Sequence, residues 1–437
     1  MDIIRNIEES KSELSATSLA LNYYTSSLPS ASCPVTSIDL DLTKDCCLRC
    51  TYCFKGEKKH QEMCLETAFR VIDWLIEASF DYRGELYVNF MGGEPLLRFD
   101  LIKELVPYGK RRARQFGKRI HFGCTTNMVL VNEEIIEFWK KWGMGFHTSI
   151  DGIPEVQDAH RCFPNGKGSS QIIEKKVPLI LNYRPTVAAR ATCCPDTVQH
   201  LYESVLYFEK LGYKNIVFAQ ATNMEWQNKH FKILDEQLEK LSNFYIEKFR
   251  AGIEFNISPL DEAIRAIVTP ARQKPHCGAG RGLLLIDTEG NIWPCHRWNG
   301  YDAERQWILG SIWGGFNDEL RQAFLDFNCH YDVNADCEHC LAVNMCGAGC
   351  IAENLQCRKD IYTPVQYWCQ IAELIFRKGM RIHYILYREN NQLFLERFYN
   401  KRPKQSLKRR VSTRNSQYNS ENNQPQNPFK FPPQSCI

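Results

Sequence analysis

Cys46, Cys50 and Cys53 stand in a CxxxCxxC arrangement, within the run Cys46-Cys47-Leu48-Arg49-Cys50-Thr51-Tyr52-Cys53-Phe54. Three thiolates at this spacing can hold three corners of a [4Fe-4S] cubane and leave the fourth iron without a protein ligand. Such an iron can bind a small molecule, which turns a redox group into a catalytic one. A zinc knuckle is the competing reading. A structural zinc takes four ligands, commonly in paired motifs, and this run offers three. The run directly follows Val35 to Leu42, an alternating stretch that reads as a β-strand.

The 437 residues suffice for two or three domains with cores of their own. A formal net charge of +3 argues for neither nucleic acid nor membrane as partner. No apolar run approaches the roughly 18 residues that span a bilayer, and Met1 to Ser10 is charged, unlike a secretory signal. Twenty cysteines would suggest disulfides in an exported chain. Here they fall into metal-type spacings, so metal or cluster ligation in a reducing cytoplasm is the expectation.

Strand-like and helix-like segments alternate from 35 to 222. The strand candidates are Val35–Leu42, Leu86–Met91, Arg119–Thr125, Gly145–Ile150, Thr186–Thr192 and Asn215–Gln220. Helical patterns lie between them, as at Leu65–Ser79, Asn132–Trp142 and Thr197–Leu211. Six βα repeats predict an α/β fold with a parallel sheet and helices outside. They are too few to close an eight-stranded barrel, so a partial (β/α)6 TIM barrel, open at one edge, is expected. Active sites of barrels lie at the C-terminal ends of the strands, where the cysteine run falls. Residues 1–34 read as a linker and loose helix, 223–270 as a helical bridge, and 271–370 as a cysteine-rich region. A C-terminal helix and short apolar stretch follow at 371–400. Residues 401–437 are basic, then Asn-, Gln- and Pro-rich, and read as a disordered tail, either simply solvated or able to capture an acidic peptide.

With an aromatic residue just before its third cysteine, the first motif resembles that of the radical S-adenosylmethionine (radical SAM) enzymes. Gly92-Gly93-Glu94-Pro95 follows the second strand, and Ser149-Ile150-Asp151-Gly152 ends the fourth. The resemblance implies that Cys46, Cys50 and Cys53 ligate the first cluster. Gly92, Gly93 and Glu94 would meet the methionine amino group of S-adenosylmethionine, with the glycines allowing close backbone approach. Ser149 and Arg161 would contact its ribose and carboxylate, as in the branch that includes anaerobic sulfatase-maturing enzymes. Tyr52 would supply a backbone contact, Asn127 a further one, and Thr222 a position near the adenine. The usual Thr-Asn-Gly reads Thr126-Asn127-Met128 here. A strand-end turn is the plainer account of Ser149 and Asp151. The implied chemistry is reductive cleavage of S-adenosylmethionine to a 5′-deoxyadenosyl radical, which takes a hydrogen atom from the substrate.

A second pattern begins at Cys277 and passes Gly290 to Cys295, then Cys337-x2-Cys340-x5-Cys346-x3-Cys350, and ends at Cys369. It resembles the seven-cysteine signature of the SPASM domain, which carries two auxiliary [4Fe-4S] clusters; a zinc ribbon is the alternative. The resemblance implies that Cys337, Cys340, Cys346 and Cys369 hold the outer cluster. Cys277, Cys295 and Cys350 would hold the inner one. The inner set lacks a fourth cysteine, so its iron is either open to substrate or closed by Cys329 or Cys357. Ten cysteines lie outside both motifs: Cys33, Cys47, Cys64, Cys124, Cys162, Cys193, Cys194, Cys329, Cys357 and Cys436. Most read as small core residues. Sulfatase-maturing enzymes carry a catalytic aspartate just after the cysteine matching Cys295; here His296 stands there, either as a proton acceptor or as a residue packed on the cluster.

The implied activity is modification of a ribosomally made precursor peptide by crosslink, thioether, epimerisation or backbone excision. The alternatives are maturation of a folded protein such as a sulfatase and, less favoured, an iron–sulfur electron-transfer protein. The GGEP segment and the Ser149/Arg161 pair argue against the last, since electron transfer needs no cofactor pocket. The expected partners are a peptide substrate and a reductant such as flavodoxin or ferredoxin. Residues 1–34 are too short for the leader-binding domain that begins many such enzymes, so a separate leader-binding protein is a further possible partner.

Overall fold

In the computed structural model the described residues are 33–80, 82, 84–222, 224–269, 277–299, 305–326 and 335–399. Most of the expected N-terminal linker, the basic tail and Cys329 lie outside them. Six strands appear where the alternating patterns place them: β1 (Ser37–Asp41), β2 (Glu85–Met91), β3 (Arg119–Thr126), β4 (Gly145–Ser149), β5 (Ala188–Cys193) and β6 (Asn215–Gln220). They pair in chain order, all parallel.

Two further strands extend this array. Asn256–Ile257 (β7) pairs parallel with β6, and Leu283–Ile286 (β8) pairs parallel with β1. Neither belongs to the six repeats: β7 is only two residues long, and β8 comes from the cysteine-rich region. Beyond β8 the sheet continues antiparallel through β9 (Asn291–Trp293), β10 (Gly310–Ser311) and β11 (Gly315–Phe316). The β8–β9 hairpin explains the glycine in the second motif. Gly290 takes φ +86° in the turn, its N–H donates to the Asp287 carbonyl, and an added Cβ would meet the Ile312 and Trp313 side chains.

Strand alternation sorts side chains between two environments. On β2, Leu86, Val88 and Phe90 are buried under the helices, while Tyr87, Asn89 and Met91 line the barrel lumen. On β3, Ile120, Phe122 and Cys124 are buried, and His121, Gly123 and Thr125 face the lumen. Each fully buried Leu, Ile or Phe contributes about 1.5–3 kcal/mol, so this alternation fixes the register of the polar lumen. The helices present matching stripes. Helix Leu65–Ala78 buries Ala68, Val71, Ile72 and Leu75, and the Cys64 side chain caps it by accepting from Thr67 N–H. Helix Glu133–Trp142 is capped by Asn132 and ends at Gly143 with φ +61°.

The C-terminal helix Gln366–Arg388 packs on helices Asn228–Arg250 and Ser258–Val268. Gly379 allows the close crossing, since a Cβ there would lie 2.4 Å from that of Ala263. The apolar stretch beyond becomes a short helix, Gln392–Phe398. Among the described residues, no cysteine is in a disulfide. Cys33, Cys124, Cys193 and Cys194 are buried, whereas Cys64 and Cys357 are exposed. Among the described residues, no helix is long and apolar enough to cross a membrane.

Candidate active site

A cavity of about 1030 Å³ runs through the barrel, at the upper end of the usual 300–1,000 Å³ of ligand pockets. Around its mouth, at the C-terminal ends of the strands, lie Cys46, Cys50, Cys53, Gly93, Glu94 and Arg161. Tyr52, Gly92, Asn127, Ser149, Thr222 and His296 line the same cavity. The sequence-predicted residues of the first motif and its companions are thus brought to one place.

The cysteine loop leaves β1 and is held from two sides. Arg49 N–H donates to the Cys162 carbonyl at 2.7 Å and Thr51 N–H to the His160 carbonyl at 3.1 Å. The Cys50 thiol feels the other two. Burial is the largest cause pushing Cys50 up to about 11; Arg161 opposes it, and Cys53, Asp151 and Cys46 add to it. N–H donors point at the sulfurs: Leu48 N at 3.4 Å and Asn127 Nδ2 at 3.6 Å from Cys46 Sγ, and Lys58 Nζ at 2.9 Å from Cys53 Sγ. Converging donors of this kind orient and stabilise cluster thiolates. The residues fit a cluster with three protein ligands.

The GGEP segment does something the sequence did not show. Gly92 and Gly93 press against the backbone of the cysteine loop. Gly93 N–H donates to the Thr43 carbonyl at 2.9 Å, and Glu94 N–H to the Asp45 carbonyl at 2.9 Å. A Cβ on Gly93 would sit 1.9 Å from the Asp45 oxygen. The glycines therefore serve backbone-to-backbone packing as well as an open cavity wall. The Glu94 side chain is buried and accepts from Thr126 Oγ1 (2.8 Å), Asn127 N–H (2.8 Å) and Leu96 N–H (3.2 Å). Burial raises its pKa to about 7 despite these donors. A carboxylate has about four acceptor sites, which leaves one for a ligand.

Met128 occupies the place of the expected glycine after Asn127. It keeps the left-handed backbone, with φ +69°, while its side chain is fully buried. The Asn127 side chain accepts from Val129 N–H and lies 3.3 Å from Cys47 Sγ, so the turn survives the substitution.

Asp151 is the organising group that sequence reasoning treated only as a strand-end turn. Arg161 donates to both its oxygens, from Nε at 2.9 Å and Nη2 at 3.0 Å. Thr192 N–H donates to it at 2.8 Å, and the Tyr52 hydroxyl also donates to it. The Arg161 guanidinium sits 5.4 Å over the Tyr52 ring. Bidentate, charge-assisted pairing fixes the plane of Arg161 as well as its position. A carboxylate two residues after a strand-end serine, ten before an arginine, was the available signal.

The cysteine-rich region closes the other side. His296 follows Cys295, and its Nδ1 lies 2.8 Å from Asp39 Oδ2 on β1. Asn89 Nδ2 donates to the other Asp39 oxygen at 2.9 Å. Burial opposes ionisation of Asp39, but the His296 and Asn89 hydrogen bonds and the nearby positive charges hold its pKa below the usual value. Arg297 reaches Thr222 Oγ1, lies over the Phe54 ring at 5.5 Å, and approaches the buried Glu353 at 4.0 Å. Deeper in the lumen, Arg190 and His147 line the wall.

The seven later cysteines fall into two electrostatic groups. Burial, then Cys277 and Cys350, push the Cys295 thiol up. Burial, then Cys369, Cys340 and Cys337 among the charges, push Cys346 up to about 12. Cys357 lies seven residues beyond Cys350 on helix Ile351–Arg358, about 10 Å further along its axis. It is exposed beside Glu353, Arg358 and Lys359, away from the Cys277, Cys295 and Cys350 group.

Comparison with known proteins agrees with this geometry. Residues 40–179 match the Radical SAM superfamily. An uncharacterized protein of Methanocaldococcus jannaschii is 31% identical over 179 residues, 41% of this chain and 60% of its own length. The chain thus spans less than two thirds of that relative. A cysteine-type anaerobic sulfatase-maturating enzyme of Clostridium novyi is 22% identical over 77% of this chain and 93% of its own. A PqqA peptide cyclase of Granulibacter bethesdensis is 25% identical over 64% and 74%. Among solved structures, anSMEcpe with bound AdoMet and the Kp18Cys peptide superposes with a TM-score of 0.69 at 21% identity, covering 81% of this chain and all of that one. Residues 40–179 are a radical SAM domain, set in a longer chain that shares the anSMEcpe fold.

Proposed function

We propose that this chain is a radical SAM enzyme that modifies a ribosomally made precursor peptide. The observation that carries the reading is the single cavity joining Cys46, Cys50, Cys53 and Glu94 to His296 and Arg297 from the cysteine-rich region, with a lumen running on below. An extended peptide fits such a channel, and the PqqA cyclase and the anSMEcpe–peptide complex are relatives named for peptide work. The sulfatase-maturating relatives support a folded protein target as the second reading. His296 in place of their aspartate favours the first.

In this account Cys46, Cys50 and Cys53 hold the first [4Fe-4S] cluster. Tyr52, Gly92, Gly93, Glu94, Asn127, Ser149, Arg161 and Thr222 hold S-adenosylmethionine. Cys337, Cys340, Cys346 and Cys369 hold an outer cluster, and Cys277, Cys295 and Cys350 an inner one, with no fourth cysteine for it among the described residues. Three clusters amount to about twelve irons per chain. When bound, the cofactor and the reduced first cluster supply one-electron cleavage and hydrogen-atom abstraction. The chain's own residues do the rest. Asp151 fixes Arg161 and Tyr52 so that the cofactor meets a preset surface. Glu94 offers its remaining acceptor position to an ammonium. Asp39 holds Nδ1 of His296, which leaves Nε2 to accept a proton from the peptide position that has lost its hydrogen atom, and the inner cluster, when bound, would take up the electron released with it. A flavodoxin or ferredoxin would supply the electron.

The test is co-expression with the short open reading frames beside the gene, followed by peptide mass spectrometry. A mass change in one short peptide that requires the Cys46/Cys50/Cys53 triad is expected. A change confined to a folded protein would establish the second reading instead.

A further inference from the structure

Outside the cavity, three metal-type donors converge behind the Tyr52–Arg161 wall. His160 ends helix Pro154–His160, Cys194 follows β5, and Asp196 lies two residues further on. One ligand atom from each lies within 4.8 Å of the other two. His160 and Cys194 are buried, while Asp196 opens to solvent with 59% of its side chain exposed.

The orientations suit an ion. Nδ1 of His160 lies 2.8 Å from Thr51 Oγ1, which is anchored because Thr51 N–H donates to the His160 carbonyl. A histidine held at one nitrogen by an outer partner presents the other as a directed ligand. That other nitrogen, Nε2, lies 3.3 Å from Asp196 Oδ1 and 3.4 Å from Thr197 Oγ1. In the tautomer whose Nδ1–H donates to Thr51 Oγ1, Nε2 and the Asp196 oxygen are both acceptors and face each other, a contact that a cation between them resolves. Among the described residues, no hydrogen bond engages the Cys194 thiol. Burial first, then the charges of Asp151, Cys193 and Asp196 against that of Arg161, push this thiol up.

We propose that His160, Cys194 and Asp196 form a zinc site. One imidazole, one thiolate and one carboxylate are ligands zinc accepts in tetrahedral geometry, and the exposed side at Asp196 leaves the fourth position to water. The ion is redox-inert, which separates it from the cluster chemistry nearby. It ties the end of β5 to the helix end that carries Arg161 and, through Thr51, to the loop between Cys50 and Cys53. The site does not depend on the proposed peptide substrate.

The test uses the full chain with its clusters reconstituted anaerobically, then given one equivalent of ZnCl2 and passed over a chelating resin. Zinc and iron are counted by mass spectrometry, and zinc-edge absorption counts sulfur neighbours. The expected result is about one zinc per chain with one sulfur at about 2.3 Å and nitrogen or oxygen at about 2.0–2.2 Å, with iron unchanged. Asp196→Asn and Cys194→Ser should each lower retained zinc by about tenfold or more; the exposed Asp196 keeps the test valid if the buried Cys194 variant folds poorly. No retained zinc, a coordination of three or four sulfurs, or equal retention in Asp196→Asn would overturn the proposal. Each of these would leave a Thr51–His160–Asp196 hydrogen-bonded chain only. Iron content and S-adenosylmethionine cleavage are read separately, so failure here leaves the radical SAM assignment standing.

Discussion

The Asp39 carboxylate and the His296 imidazole meet at 2.8 Å although they lie 257 residues apart. β8 makes the meeting possible by pairing with β1 and delivering the following hairpin, Cys295 and His296 to the barrel mouth. Asp39 is not one of the proposed cofactor contacts, so its charge is open to test. Asp39→Asn should lower formation of modified peptide about 100-fold, the scale of a mis-set general base. Peptide-free release of 5′-deoxyadenosine should stay unchanged. Chromatography of both products checks this, and an equal fall in both would mean that Asp39 acts on cofactor binding.

Asp151 should be structural and functional at once. Arg161 is 8% exposed, so Asp151→Ala leaves a buried guanidinium without its paired carboxylate, at a cost of about 3–5 kcal/mol. Anaerobic urea unfolding should show the loss. Replacing both residues together, Asp151→Leu with Arg161→Leu, should recover much of that stability without restoring S-adenosylmethionine affinity.

The sequence announced the barrel because strands with one face on helices and one on a lumen alternate strictly, and six of them appear at the expected places. The Cys46/Cys50/Cys53 and Cys337–Cys350 runs were legible as candidate ligand groups, because their spacing is local. β7 and β8 were not legible, since two and four residues carry no periodicity and their partners are remote. Asp151 was visible but undervalued. Its partners Tyr52, Arg161 and Thr192 converge only in three dimensions. The role of Gly92 and Gly93 against Thr43 and Asp45 was hidden for the same reason. Met128 shows the converse. A motif position lost its glycine, yet the backbone kept φ +69°.

His147 should report the charge of the lumen. Its pKa is lowered to about 4, first by burial, then by Arg190 and Arg184, with Asp39 opposing. The unfolded chain therefore binds this proton more readily than the folded one. The stability contributed by neutral His147 is present above about pH 6.5, the free value, and is lost as pH falls toward 4. In cluster-free protein, its labelled imidazole resonance should stay fixed between about pH 7.5 and 5.5. Arg190→Met should move the titration upward; no movement would show that Arg190 exerts little field there.

Gly93→Ala should damage the first cluster selectively. The new Cβ would lie 1.9 Å from the Asp45 oxygen and about 3.0 Å from Cys46 Cβ, so the cysteine loop must shift. Reconstituted iron should fall by about four per chain, one cluster's worth, while iron at the later cysteines stays. Iron analysis with electron paramagnetic resonance distinguishes this from a general loss.

The most direct measurement of the whole account is S-adenosylmethionine cleavage by anaerobically reconstituted, reduced protein, beside the Cys46→Ala/Cys50→Ala/Cys53→Ala variant. The intact chain should release 5′-deoxyadenosine and methionine. The variant should keep the iron of the later cysteines and release none. Equal release by both proteins, or none from the fully reconstituted intact chain, would contradict the assignment of this cavity as a radical-generating site.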